Sequence, residues 1–203
     1  MEYCLFRHGQ TNWNVRGIIK SHMDDSGTHF TQTGQAQIKC ITELLQNAGI
    51  QAIFSSDLYR TTETAKYISE RLRVPLYFSD RLRGMDMGAF HGLPIEEFLR
   101  NEDVRTAFID YDHPIPGGES INQLRERLCG ALRDIRDHYS YEKVLVVTHG
   151  AAISNVVSYL NNSTYQEFDY CYLKPEADSF SVILTGRYDD LLMNVYESEG
   201  SDS

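Results

Sequence analysis

Cysteine, positive charge and long apolar runs are all scarce in this chain of 203 residues, and each shortage removes a class of function. The four cysteines, Cys4, Cys40, Cys129 and Cys171, are widely scattered, and no pair has metal-ligand spacing. Cys4, Cys40 and Cys129 fall within apolar patterns, so the expectation is reduced core thiols in a cytoplasmic protein. Lysine and arginine total 19 against 29 acidic residues, a net charge of −10. Nucleic-acid binders present a basic face, so this balance argues against one. It also means that arginines gathered around an anion must act locally, against the overall field. No apolar run approaches the length that crosses a membrane. The N-terminal residues enter a strand almost at once, without a charged n-region or an h-region, so no signal peptide is expected. An HExxH pair, an acidic metal cluster and a Walker lysine motif are all missing. There is no internal repeat and no linker that would split the chain.

What is there fits one ordinary core, with 41% hydrophobic and 24% charged residues. Tyr3 to Phe6 and Lys143 to Val147 read as buried strands, with shorter ones at Gln51 to Ser55 and Leu76 to Phe78. Helical spacing follows each strand. Thr31 is placed to cap a helix with Ile38, Ile41, Leu45 and Ala48 inward, ending at Gly49. Asp57 is placed to cap a second, with Leu58, Thr61, Ala65, Ile68 and Leu72 on one face. Ser120 to Gln123 is a capping-box pattern opening a long helix, and Ala151 to Leu160 is another helix. Residues 80–118 show little regular pattern beyond a helix from Pro94 to Arg100, and are expected to cover the site. Strands at Ser179 to Leu184 and Leu191 to Tyr196 would complete the sheet, and the acidic tail 197–203 is expected to be disordered. The alternation implies one α/β domain over residues 1–196, a three-layer α/β/α sandwich whose central sheet is mostly parallel.

Both long strands break into the same kind of junction, Arg7-His8-Gly9 and Thr148-His149-Gly150. A third strand is followed by Ser55-Ser56-Asp57-Leu58-Tyr59-Arg60, which puts Arg60 in the first turn of a helix. Ligands of parallel sheets sit at the carboxyl ends of the strands. Two arginines, two histidines and a helix N-terminus meeting there describe a phosphate site. Alone, each histidine would read as a structural residue and Arg60 as a solvated arginine; their joint placement at strand ends is the signal.

That arrangement resembles the histidine phosphatase superfamily, the phosphoglycerate-mutase-like proteins, over nearly the whole chain. The likeness rests on Arg7 to Thr11, Trp13-Asn14, the run Phe30 to Gln37, Ser55 to Thr64, Pro116 to Ser120 and Val146 to Gly150. Asn14 to Gly17 and Asp25 to Gly27 also look locally like the fructose-2,6-bisphosphatase branch, without a kinase domain. The resemblance implies that His8 attacks phosphorus and carries the phosphoryl group until water removes it. Arg7, Arg60 and a protonated His149 would hold the phosphate oxygens, with Thr11, Asn14, Gly9 and Gly150 completing the pocket. No metal or cofactor is implied, and the implied partner is a phosphorylated small molecule. None of the four cysteines has an arginine six positions later, so a cysteine-dependent phosphatase is not expected.

One position departs from the resemblance. The family's leaving-group acid is usually a glutamate in a Leu-x-Glu-x-x-x-Gly pattern, and here Leu82 to Gly88 carries Gly84 at that place. Asp86 is the tentative substitute and His91 another. Ile18, Lys20 and Ser21 break the usual loop as well. The expected function is a metal-independent phosphatase acting on a phosphomonoester of a small metabolite. The alternatives are a mutase of the phosphoglycerate type, and a weakly active or non-catalytic binder of phosphorylated ligands.

Overall fold

Side chains on successive strand residues point to opposite faces of a sheet, and the three central strands use both faces for core. Tyr3 and Leu5 of β1 (Glu2–Arg7) join one buried cluster while Cys4 and Phe6 join another. The computed structural model describes residues 1–23, 26–160 and 184–187. After β1 come α1 (Asn12–Val15), α2 (Gln32–Leu45), β2 (Ala52–Ser55), α3 (Tyr59–Leu72) and β3 (Leu76–Phe78). Then follow α4 (Ile95–Arg100), α5 (Glu102–Ala107), α6 (Ile121–His138), β4 (Lys143–Thr148), α7 (Gly150–Leu160) and β5 (Leu184–Arg187). The sheet order is β3-β2-β4-β1-β5, parallel through the first four strands, with β5 antiparallel to β1.

Helices cover both faces. Ile38, Ile41 and Leu45 of α2 and Ala65 and Ile68 of α3 pack on Cys4, Phe6, Ile53, Leu145 and Val147. Leu124, Leu128 and Leu132 of α6 and Ile153 of α7 pack with Tyr3, Leu5, Phe54, Val144 and Val146. This is the expected three-layer sandwich. No helix among the described residues is long and apolar enough to cross a membrane.

Several local expectations change. Thr31 caps α2, its hydroxyl accepting from the Gly34 N–H at 3.0 Å, but the helix stops at Leu45 and reaches Gly49 through turns. Asp57 caps nothing. Leu58 takes the cap position of α3 without a side-chain bond, because Asp57 is paired with both prongs of Arg83 at 2.6 and 2.5 Å. Cys4 and Cys129 are buried, whereas Cys40 lies on the exposed side of α2. The region 80–118 is more regular than its sequence shows. It holds 3₁₀ turns at Asp80–Leu82 and Gly88–Phe90 and the short α5, whose cap is Asn101. It also puts Leu82, Met85, Phe90, Phe98, Val104 and Ile115 into the core on the α6 side. Its backbone is tied to the loop after α1 by Ile19 N–H to Leu93 O at 3.0 Å and Gly92 N–H to Ile19 O at 2.7 Å. Of the expected strand at Ser179 to Leu184 only Leu184 lies within the described residues; the strand expected at Leu191 to Tyr196, the tail and Cys171 lie outside them.

Candidate active site

Register brings the two histidine junctions together. β1 and β4 run parallel with Arg7 opposite Thr148, and the His8 N–H donates to the Thr148 carbonyl at 3.1 Å. β2 lies on the other side of β4, and there the Ser56 N–H donates to the Val147 carbonyl at 3.1 Å. The carboxyl ends of three neighbouring strands therefore deliver His8, Ser56 and His149 side by side. The His8 and His149 ring centroids are 5.3 Å apart, at an interplanar angle of 65°.

His8 is fixed by its surroundings. Its Nδ1 lies 2.8 Å from the Gly9 carbonyl, which only a protonated nitrogen can satisfy, so the free lone pair is on Nε2. That lone pair accepts from Arg60 Nε at 3.2 Å. Burial and then the charges of Arg60 and Arg7 hold the imidazole well below its usual pKa, so it is neutral at neutral pH. A Cβ at Gly9 would stand 2.7 Å from the Gly34 carbonyl and 2.8 Å from Ile38, so α2 needs the space that this glycine leaves.

His149 is buried by the same strands, and its carbonyl accepts from the Ile153 N–H at 3.0 Å, so α7 begins on it. Its Nε2 is 2.8 Å from Ser56 Oγ, which is also 2.7 Å from Thr61 Oγ1. Its Nδ1 is buried with no hydrogen-bond partner among the described residues. Desolvation, followed by Arg60, His8, His22 and Arg7, keeps this imidazole well below its ordinary pKa too. The protonated state expected from the sequence therefore requires a bound anion to offset burial and those neighbouring charges.

Arg60 is buried in the first turn of α3, its Nη2 donating to the Ser21 carbonyl at 2.9 Å. Arg7 ends β1, and its charge acts on both imidazoles. Thr11 and Asn14 hold each other, because the Thr11 N–H and hydroxyl both donate to Asn14 Oδ1 at 2.8 Å. Gly150 opens α7 directly after His149. Asp86 follows Gly84 by two residues. Its Oδ1 accepts from Ser21 Oγ at 3.3 Å and from the Gly88 N–H at 3.0 Å, and it bonds to neither histidine nor to Arg60. His91 donates its backbone N–H to the Gly88 carbonyl at 3.2 Å, and its buried Nδ1 has no partner among the described residues.

The structure adds residues that sequence reasoning passed over. Ser56 reads as loop, yet it is the hydrogen-bond partner of His149. His22 sits in a polar loop, and its Nε2 lies 2.7 Å from the Gly84 carbonyl. Arg127 of α6 donates to the carbonyls of Arg81, Arg83 and Gly84 at 2.9, 2.9 and 3.0 Å and pairs with Glu119 at 2.6 Å. Glu119 in turn accepts the Asp86 N–H at 2.7 Å. This clamp fixes the segment around Gly84. The available signal was the Pro116 to Ser120 motif, whose glutamate has a structural partner.

Comparison with known proteins identifies the family and the fold. The sequence profile described as the histidine phosphatase superfamily (branch 1) matches residues 3–191. A probable phosphoglycerate mutase from Salmonella paratyphi B is 33% identical over 161 residues, covering 78% of this chain and 74% of that protein. Among solved structures, a mycobacterial glucosyl-3-phosphoglycerate phosphatase superposes with a TM-score of 0.76 at 22% identity, covering 98% of this chain and 99% of that one. A phosphoserine phosphatase from Entamoeba histolytica, bound to 3-phosphoglyceric acid, superposes with a TM-score of 0.77 at 20% identity over 98% of both chains. At these identities the structural matches show the shared fold.

Proposed function

The chain belongs to the histidine phosphatase superfamily, and from that premise we propose that it hydrolyses a phosphomonoester of a small metabolite through a phosphohistidine on His8. The observation that carries this reading is the state of His8. A buried imidazole with Nδ1–H spent on the Gly9 carbonyl keeps a lone pair on Nε2, the form a nucleophile needs. Substrate oxygens would take the donors of Arg60 and uncover that lone pair. Phosphate charge between Arg60 and His149 would offset the burial and neighbouring charges that depress His149, so the bound anion would favour the charged imidazole that hydrogen-bonds to its oxygens. Arg7, Thr11 and Asn14 complete the cradle, and the fixed charges favour a transition state that spreads charge over the equatorial oxygens. Water then attacks the phosphohistidine and regenerates His8.

Phosphate release without added metal, across aryl phosphates, sugar phosphates and phosphoglycerates, tests the reading. Wild type should turn over at least one of them, and His8→Ala should abolish release while keeping the folded circular-dichroism spectrum. Turnover by the alanine variant comparable to wild type would remove His8 as the nucleophile. The 33% identity to a probable phosphoglycerate mutase favours a second reading, phosphoryl isomerisation. It predicts exchange between phosphoglycerate isomers, dependent on a bisphosphorylated primer, with no net phosphate release.

A further inference from the structure

A leaving alkoxide needs a proton, and the candidate active site shows no group assigned to supply it. Position 84 is a glycine, and Asp86 Oδ1 accepts one hydrogen bond from the Gly88 N–H in its own turn and a second from the Ser21 hydroxyl of the facing loop. His149 packs beside His8, their ring centroids 5.3 Å apart, and the proposed function already gives it to the phosphoryl oxygens.

We propose that His22 is the proton donor to the leaving group. Its Nε2 lies 2.7 Å from the Gly84 carbonyl, an acceptor, so Nε2 carries hydrogen and the exchangeable position is Nδ1. Arg127 donates to the same carbonyl at 3.0 Å, which holds that oxygen in place. Among the described residues none bonds to His22 Nδ1. Two contacts set the ring at the site's edge. Gly84 lies directly against His149, since a Cβ built on it would stand 2.9 Å from His149 Cβ. Ser21, the preceding residue, gives its carbonyl to Arg60 at 2.9 Å. His22 therefore adjoins His149 through Gly84 and Arg60 through Ser21. The charge of His22 also acts on His149 and on Asp57.

The backbone is bent to make this placement. Ser21 has φ +46°, in the left-handed region that side chains avoid, and such strain gathers at functional positions. Its hydroxyl accepts from the Met87 N–H at 2.8 Å, which holds the bend against the opposite loop.

The step balances. His8 Nε2 forms its bond to phosphorus as the ester P–O bond breaks, and the electron pair of that bond stays on the leaving oxygen. That oxygen takes the Nδ1 proton of a His22 imidazolium, which is left neutral with its hydrogen on Nε2, and departs as an alcohol. Water then attacks the phosphohistidine, the N–P bond breaks, and the proton released by water returns to His22 Nδ1.

The inference rests on the phosphatase reading, and its test separates the two. His22→Gln keeps an amide nitrogen that can reach the Gly84 carbonyl but has no exchangeable imidazole. First-turnover alcohol release is measured for an alkyl phosphate and for p-nitrophenyl phosphate, whose phenolate leaves without a strong acid. General-acid loss is typically ~10²–10⁴-fold, and the alkyl substrate should show a loss of that size while the aryl substrate loses roughly a tenth of it or less. Equal losses on both would make His22 a support for the Gly84 segment and overturn the proposal, as would no loss on either. A loss confined to the alkyl substrate in Asp86→Asn but not in His22→Gln would overturn it in favour of Asp86. If wild type released nothing from either substrate, the phosphatase reading would fall and this inference with it. His22→Ala, run beside the glutamine variant with a thermal melt, reports whether losing the Gly84 bond unfolds the loop.

Discussion

At position 84 the absence of a side chain is a packing condition as much as a chemical one. The Gly84 Cα faces His149, and a methyl group there would sit 2.9 Å from His149 Cβ and 3.1 Å from its Cγ. Neither atom is the free end of a flexible chain, and the segment cannot retreat easily because Arg127 holds the carbonyls on both sides of it. Gly84→Ala should therefore cost about 1–3 kcal/mol, the range for overpacking a filled interior. For a chain of this size each kcal/mol lowers the melting midpoint by about 2–4 °C. Calorimetry checks it, and an unchanged midpoint would mean that the segment yields freely. Gly84→Glu meets the same obstruction before its carboxyl group reaches anything, so adding an acid at 84 should displace His149 rather than simply complete the site.

At the level of elements, the segment 81–86 is positioned from α6 rather than from the sheet. Arg127 spends its guanidinium on three carbonyls of the segment and on Glu119, with both charged side chains mostly buried. Arg127→Met keeps much of the stem and removes every donor. It should destabilise by roughly 2–3 kcal/mol, the cost of leaving a carboxylate and carbonyls short of partners. It should also lower turnover, since the wall behind His149 loosens; urea unfolding beside a phosphate-release assay would show both effects. A variant as stable as wild type would mean that water replaces the guanidinium at no cost.

That clamp was hidden in the sequence for a physical reason: its bonds go to backbone carbonyls, which leave no residue-type signature. Elements that announce themselves through side-chain periodicity or capping were legible, among them β1, β4, α6 with its Ser120–Gln123 box, and α4 from Ile95. The junctions at His8 and His149 could be paired because both ended strong apolar runs. Asp57 misled because an exposed acid before a helix looks like a cap unless the distant Arg83 is known. α5 escaped because Glu102 to Ala107 buries only Val104 and Ala107, too little for a period. Ser56 and His22 were illegible as site residues because their roles depend on tertiary neighbours, His149 and the Gly84 carbonyl.

For the molecule as a whole, two neutral imidazoles in the interior tie stability to pH. Burial and neighbouring arginines depress His8 and His149 in the folded state, whereas in the unfolded chain each returns to about 6.5. Well above that value neither state binds the proton, and the full stability is present. As the pH falls below it the unfolded chain takes up protons that the folded chain refuses, so the unfolding free energy drops, with a slope approaching ~2 protons from this pair. The window runs downward from the unfolded value towards the depressed folded ones. Urea unfolding of wild type and of a His8→Asn, His149→Asn double variant, at steps from about pH 7.5 to about pH 5, isolates the pair from every other titrating group. The wild-type curve should fall more steeply, by up to ~2 protons; parallel curves would mean that these imidazoles exchange protons freely in the fold. Saturating inorganic phosphate supplies the functional arm of the same experiment. An anion seated between Arg60 and His149 favours the charged imidazole, so it should flatten the wild-type slope as well as raise the overall stability. A rise in stability with the slope unchanged would place the bound anion away from His149.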